Sequence, residues 1–161
     1  MKVNLHEGAY CMTVMFCGHA NFISNEEDEK KIISFLEETV GNKSAELLFG
    51  GYGNFDEFSY LCGKKYKEQH PDVKLVFVTP YLTNEYQKNH LEHIKNKYDS
   101  IIYPAIENKP LRYAIVYRNQ YMVDIADAVI ACVRCEYGGA YKTLKYAMRK
   151  KKIIKNIHEI T

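Results

Sequence analysis

The stretch Thr13-Val14-Met15-Phe16-Cys17-Gly18-His19 decides the fold. Its apolar and β-branched residues run without polar alternation into a glycine, the pattern of a short strand buried on both faces. Burial on both faces demands covering helices, and the next residues supply one. Ile32, Ile33, Leu36 and Val40 recur at helical spacing after a capping box of Ser24 and Glu27, and Gly41 stops the pattern. A buried strand, a glycine turn and an amphipathic helix make the opening unit of a parallel α/β sheet.

The unit repeats outward along the chain. Ala45-Glu46-Leu47-Leu48-Phe49 ends at Gly50, and residues 56–67 follow with Phe58, Leu61 and Cys62 on one helical stripe. Leu75-Val76-Phe77-Val78 is a third β-rich run before Pro80, and residues 84–98 carry Tyr86, His90, Ile94 and Lys97 on one side of a surface helix. Residues 100–103 read as a short strand. The two prolines within 104–111 impose a loop, placed where it would cover a site. Ile115, Met122, Val123 and Ala126 mark a helix feeding the apolar run 128–132, and a helix over 141–150 and a strand over 153–157 complete the chain. The alternation predicts an α/β fold: a single Rossmann-like domain over residues 1–161, an open, mostly parallel sheet with helices on both faces. Its ligand belongs beyond the carboxyl ends of the strands, near the point where strand order reverses.

Composition limits the partners. A formal net charge of +2 over 161 residues is too small for a dedicated nucleic-acid surface, so nucleic acid is an unlikely partner. The basic run Arg149-Lys150-Lys151-Lys152 falls where a helix ends, and cations there suit the negative end of the helix dipole. Five cysteines, an odd number, with no run of eighteen apolar residues imply free thiols in a cytoplasmic protein without a membrane partner. Residues 1–11, with Lys2, His6 and Glu7, are no signal peptide and lead into the first strand.

Three glycine-rich turns stand at strand ends: Cys17-Gly18-His19, Gly50-Gly51-Tyr52-Gly53-Asn54 and Tyr137-Gly138-Gly139-Ala140. Singly each is a tight turn. Together they offer backbone N–H groups and helix N-termini to an anion, and a phosphate is the expected guest. Neither the dinucleotide fingerprint nor a P-loop is present, so no cofactor is expected.

Five blocks in order carry a family resemblance: Phe16-Cys17-Gly18-His19, residues 50–56, Val78-Thr79-Pro80-Tyr81, Arg118-Asn119-Gln120-Tyr121-Met122-Val123-Asp124 with Ala126-Asp127, and Gly138-Gly139 with Thr143 and Tyr146-Ala147. The chain resembles the SLOG superfamily, the Rossmann-like group of DprA and the LOG phosphoribohydrolases, and is most similar to its short YpsA-like members. The resemblance implies a pocket for a nucleotide or nucleotide-derived ligand, ribose phosphate or ADP-ribose-like, built from Gly18, Gly50, Gly51, Gly53, Arg118, Gly138, Gly139 and Thr143. It also implies a homodimer. On chemistry, Arg118 would clamp a phosphate in bidentate fashion, with Asn119 beside it. Thr143 would donate its hydroxyl, and Asp56 would accept from ribose hydroxyls or cap its own helix. Tyr81, at the third strand end, joins the ligand-binding set.

The phosphoribohydrolases carry Gly-Gly-x-Gly-Thr-x-x-Glu in the unit of the third turn, where this chain has Gly138-Gly139-Ala140-Tyr141-Lys142-Thr143 and no carboxylate. Residues 50–57 imitate that motif one unit too early, and place Asp56 and Glu57 as the catalytic candidates for N-glycosidic cleavage. Binding is therefore the leading expectation and hydrolysis the alternative. His19, at the pocket mouth, is a ligand-binding candidate or a turn cap. Cys132-Val133-Arg134-Cys135 lacks both the helix N-terminus of a redox pair and the further ligands of a zinc site. Tyr52, Tyr81, Tyr137 and Tyr141 lie on or beside the loops, where a base could stack.

Overall fold

The computed structural model describes residues 10–81 and 84–161. The lead-in over residues 1–9, with His6, lies outside the described residues. Six strands form one sheet: β1 (Met12–Gly18), β2 (Ala45–Phe49), β3 (Val73–Val78), β4 (Ser100–Ile102), β5 (Ala128–Cys132) and β6 (Ile153–Asn156). The order is β4-β3-β2-β1-β5-β6, and every pairing is parallel. The fold is a Rossmann-like α/β sheet, as the alternation predicts.

Strand parity builds two cores. Val14, Phe16, Leu47, Phe49, Leu75, Phe77 and Ile130 point to one face, and Met15, Cys17, Leu48, Val76, Val78 and Val129 to the other. The first face is covered by α1 (Glu26–Thr39) and α2 (Asn54–Gln69), through Ile32, Leu36, Phe55 and Tyr66. The second is covered by α3 (Ala114–Ile125) and α4 (Gly138–Arg149), through Met122, Val123, Leu144 and Ala147. Right-handed crossovers explain the division. The chain adds β2, β3 and β4 on one side of β1, then crosses to the other side to add β5 and β6, so the helices change face. The order reverses at β1, and the carboxyl ends of β1 and β5 open a crevice there.

Several local expectations are corrected. The capping box of α1 lies one residue later than Ser24 and Glu27. Asn25 Oδ1 accepts from the backbone N–H groups of Glu27 and Asp28, and Asp28 Oδ2 accepts from Asn25 N–H at 2.8 Å. Asp28 is fully buried because its other oxygen accepts from His158 Nε2 at 2.6 Å, while His158 Nδ1 accepts from Arg134 Nε at 2.5 Å. That pair of bonds holds the His158 ring between α1 and the loop after β5. In α2 the inward face is Phe55, Ser59, Cys62 and Tyr66, and Leu61 is exposed. The helix expected over 84–98 is instead two short helical turns, Asn84–Tyr86 and Glu92–Ile94, flanking a π-helical stretch Gln87–Leu91. The wider turn moves burial from the expected His90 to Leu91. The last helix begins at Gly138 rather than near residue 141, so the glycine pair is its first turn.

No helix among the described residues is long and apolar enough to cross a membrane.

Asp28 ties the start of α1 to the segment after β6. Asp28→Ala should lower stability by about 2–3 kcal/mol in urea denaturation at neutral pH, from loss of the cap and of the partner to a nearly buried imidazole. Asp28→Asn should lose less, since its amide oxygen retains one acceptor, for either Asn25 N–H or His158 Nε2. Equal stability of Asp28→Ala and the parent would refute this anchoring role.

Candidate functional site

The turns after β1 and β2 and the first turn of α4 after β5 meet at the crevice. Together with α3 they enclose a cavity of about 180 Å³, whose walls include Gly18, His19, Gly50, Tyr52, Asp56, Arg118, Asn119, Gly139 and Thr143. The expected Gly51, Gly53, Glu57, Tyr81 and Gly138 are not among its lining residues. Ile115 and Ala140 line it and escaped the sequence reading. Ile115 was legible in retrospect, because it shares one face of α3 with Arg118 and Asn119 at three- and four-residue spacing.

The glycines serve two purposes. A Cβ on Gly18 would lie 2.3 Å from the Phe55 ring, and one on Gly53, whose φ is +88°, would lie 2.5 Å from Ala20 Cα. These positions pack the turn against its neighbours. At Gly139 a Cβ would meet no atom within 4 Å, so the missing side chain leaves open space beside the first turn of α4. Tyr137, the residue before that helix, makes no side-chain capping bond, and the first turn carries no acidic residue. The leading N–H groups of α4 therefore retain their capacity for an anion.

Arg118 is buried, at 2% exposure. Its Nη1 donates to the carbonyl oxygens of Gly50 and Val78, each at 2.8 Å, and Nε donates to Asn119 Oδ1 at 2.9 Å. Two of its three nitrogens thus serve the chain itself, and the bidentate phosphate clamp expected from the sequence is reduced to the Nη2 side. Burial pushes the pKa of the guanidinium down, opposed chiefly by nearby Asp56. Asn119 Nδ2 in turn donates to Thr143 Oγ1 at 3.4 Å, and the Thr143 hydroxyl donates to Gly139 O at 2.9 Å. Thr143 accordingly stabilises the first turn of α4, its donor already spent.

The two acidic candidates separate. Asp56 sits in the cavity wall at 8% exposure, and its Oδ2 accepts from Tyr52 N–H at 2.7 Å. Burial pushes its pKa up to about 6, against the pull of the Tyr52 N–H and of Arg118. Glu57 faces outward and pairs with Lys97 Nζ at 3.2 Å with 61% of its side chain exposed. It is not brought to the cavity.

His19 Nε2 accepts from Arg134 N–H at 3.0 Å, and Cys135 Sγ lies 3.6 Å from the same nitrogen. Partial burial, followed by the Arg134 charge, lowers the His19 pKa. The ring is thus held neutral and tethers the first turn to the third. Cys132 is buried at the end of β5 and Cys135 is half-buried, both as free thiols. Tyr81 packs its ring on Tyr86 with centroids 5.4 Å apart.

No family model matches the chain. It is 24% identical over 135 residues to the uncharacterized SPbeta prophage-derived protein YoqJ of Bacillus subtilis (strain 168), covering 74% of this chain and 79% of that protein. Among solved structures, DNA processing protein A from Streptococcus pneumoniae matches 89% of the chain with a TM-score of 0.60 at 14% identity. The chain spans about half of that protein, 49% of its length. DNA processing protein A from Helicobacter pylori matches with a TM-score of 0.57 at 15% identity, over 92% of this chain and 68% of that one. The structural-genomics target TM1055 gives 0.52 at 13% identity, over 89% and 72% of the two chains. These likenesses show the Rossmann-like α/β fold.

The raised pKa of Asp56 has a signed consequence for stability. Its folded-state value of about 6 exceeds the reference 3.8, so the folded state binds more protons between those limits and stability falls as pH rises through that window. The loss from this residue should total about 3 kcal/mol between pH 4 and pH 7. Asp56→Asn keeps an acceptor for Tyr52 N–H and lacks the charge. Urea midpoints measured across pH 4–7 should decline more steeply in the parent than in the variant, and parallel curves would rule out the buried carboxyl.

Proposed function

We propose that the cleft binds a nucleotide or nucleotide-derived ligand through a phosphate, and that the protein acts as a binding module or sensor for it. The observation that carries this reading is the first turn of α4, whose capping positions have no side-chain partner and whose Gly139 opens onto the cavity. An anion there gains the unpaired N–H groups and the positive end of the helix dipole, worth up to ~2 kcal/mol when partly buried. Nη2 of Arg118 approaches from the β2 side, ionised Asp56 accepts from ribose hydroxyls, and exposed Tyr52 at the rim offers its ring to a base.

A second reading has one observation in its favour. A carboxyl with a pKa of about 6 in the cavity wall is partly protonated near neutral pH, the state a general acid needs to assist N-glycosidic cleavage. Asp56 alone carries that reading, since Glu57 points away. Chromatography of a nucleoside monophosphate incubated with the protein would reveal free base. Release that persists in Asp56→Asn would exclude the assigned acid. The Helicobacter pylori neighbour is described as binding single-stranded DNA, which weighs a little against the expectation that nucleic acid is an unlikely partner and makes an oligonucleotide a competing occupant.

Thermal shift against a panel of phosphate-bearing nucleotides tests the leading reading. A true ligand at a hundredfold excess over its Kd should raise Tm by roughly 5–10 °C. Gly139→Val places a side chain in open space, so it should fold with an unchanged Tm and lose the shift. Failure of every phosphate-bearing compound to stabilise the parent, or an undiminished shift in Gly139→Val, would reject the reading.

A further inference from the structure

The cavity does not end at Gly139. A second cavity of about 410 Å³ runs between α3 and α4, and the two share Ile115, Asn119, Gly139 and Thr143 as a common wall. Binding sites that enclose a drug-sized ligand span roughly 300–1,000 Å³. The first cavity, at about 180 Å³, holds only part of a nucleotide, whereas the two together fall within that range.

The added groove has its own chemistry. Ile115 and Val116 give it an apolar floor, and Lys142, Lys145 and Arg149 line one side, all three exposed. Their spacing of three and four residues puts them on one face of α4. None of the three takes part in an ion pair among the described residues, while adjacent Lys150 pairs with Asp124. The helix dipole accounts for Arg149, in the last turn, and not for Lys142. That cation stands near the positive end of a helix whose first turn has no acidic residue, where positive charge is disfavoured. In α1 and α2 the first turns are acidic, as the dipole prefers. An external anion along α4 accounts for the contrast.

We infer that the groove is the second half of the ligand site, and that the ligand is a nucleotide bearing a second phosphate separated from the first. The inference rests on the reading that the first phosphate occupies the N-terminus of α4. One phosphate sits on the N–H groups at Gly139 and Ala140. The other lies along the row from Lys142 to Arg149, which begins about 5 Å further along the helix axis at 1.5 Å per residue. The link between the two phosphates passes over Ile115 and Val116, and the base keeps its place at Tyr52.

The test is a calorimetric titration with adenosine 5′-monophosphate and adenosine 3′,5′-bisphosphate, which differ by one phosphate. The parent should bind the bisphosphate at least about tenfold more tightly. The double variant Lys142→Gln, Lys145→Gln changes exposed side chains and should keep its Tm. It should erase that preference while holding monophosphate affinity within about threefold. Equal affinity of the parent for both nucleotides, or a preference that survives in the double variant, overturns the second subsite and leaves the first intact. Binding of neither nucleotide overturns both. Tighter, salt-dependent binding of a short single-stranded oligonucleotide than of the bisphosphate would replace the small ligand with a polymer and also overturn the proposal.

Discussion

The end of the sheet is organised by one buried guanidinium. Arg118 reaches from α3 beneath the crevice and donates to carbonyl oxygens that close β2 and β3, while Asn119 and Asp56 balance it from either side. A buried charge is costly unless it is hydrogen-bonded, and these bonds satisfy Nε and Nη1 while Nη2 is kept for a ligand. They also fix α3 relative to the strand ends, and through Asn119 and Thr143 they set the first turn of α4. Gly50 follows from the same constraint, since a Cβ there would press to 3.0 Å from the guanidinium. The arginine is the frame of the cleft first and a contact for a ligand second.

Much of this architecture is legible in the chain because burial on both faces leaves a strand no polar positions. The runs at β1, β2, β3 and β5 therefore announce themselves, and the crossover rule then orders the helices. Other features depend on partners far along the sequence. By pattern Ser24 with Glu27 is the better capping pair, and the structure uses Asn25 with Asp28, whose carboxylate also bonds His158, distant in sequence. The phase of α2 was missed because polar Asp56 and Ser59 occupy its inward face. The π-helical turn before Leu91 adds a residue to the repeat that no local propensity signals.

The site was legible in part for the same reasons. Three glycine turns at strand ends did point to the crevice, yet sequence cannot separate a glycine required by packing from one that leaves room. Gly18 and Gly53 belong to the first kind and Gly139 to the second. Arg118 read as a ligand clamp because its carbonyl partners, 68 and 40 residues away, are invisible in a linear pattern. Asp56 and Glu57 are adjacent in sequence and a helix turns them apart, one into the cavity and one toward Lys97. What converges is a polar floor with a carboxyl on one side and an open helix N-terminus on the other.

The central claim, that a ligand phosphate occupies the N-terminus of α4, is tested most directly by residue-resolved NMR. Amide resonances of 15N-labelled protein would be followed during titration with adenosine 5′-monophosphate. The account predicts that Gly138, Gly139 and Ala140 shift most, with smaller changes at Tyr52 and Asn119. Saturable changes confined to other surfaces, with these three amides unmoved, would contradict it.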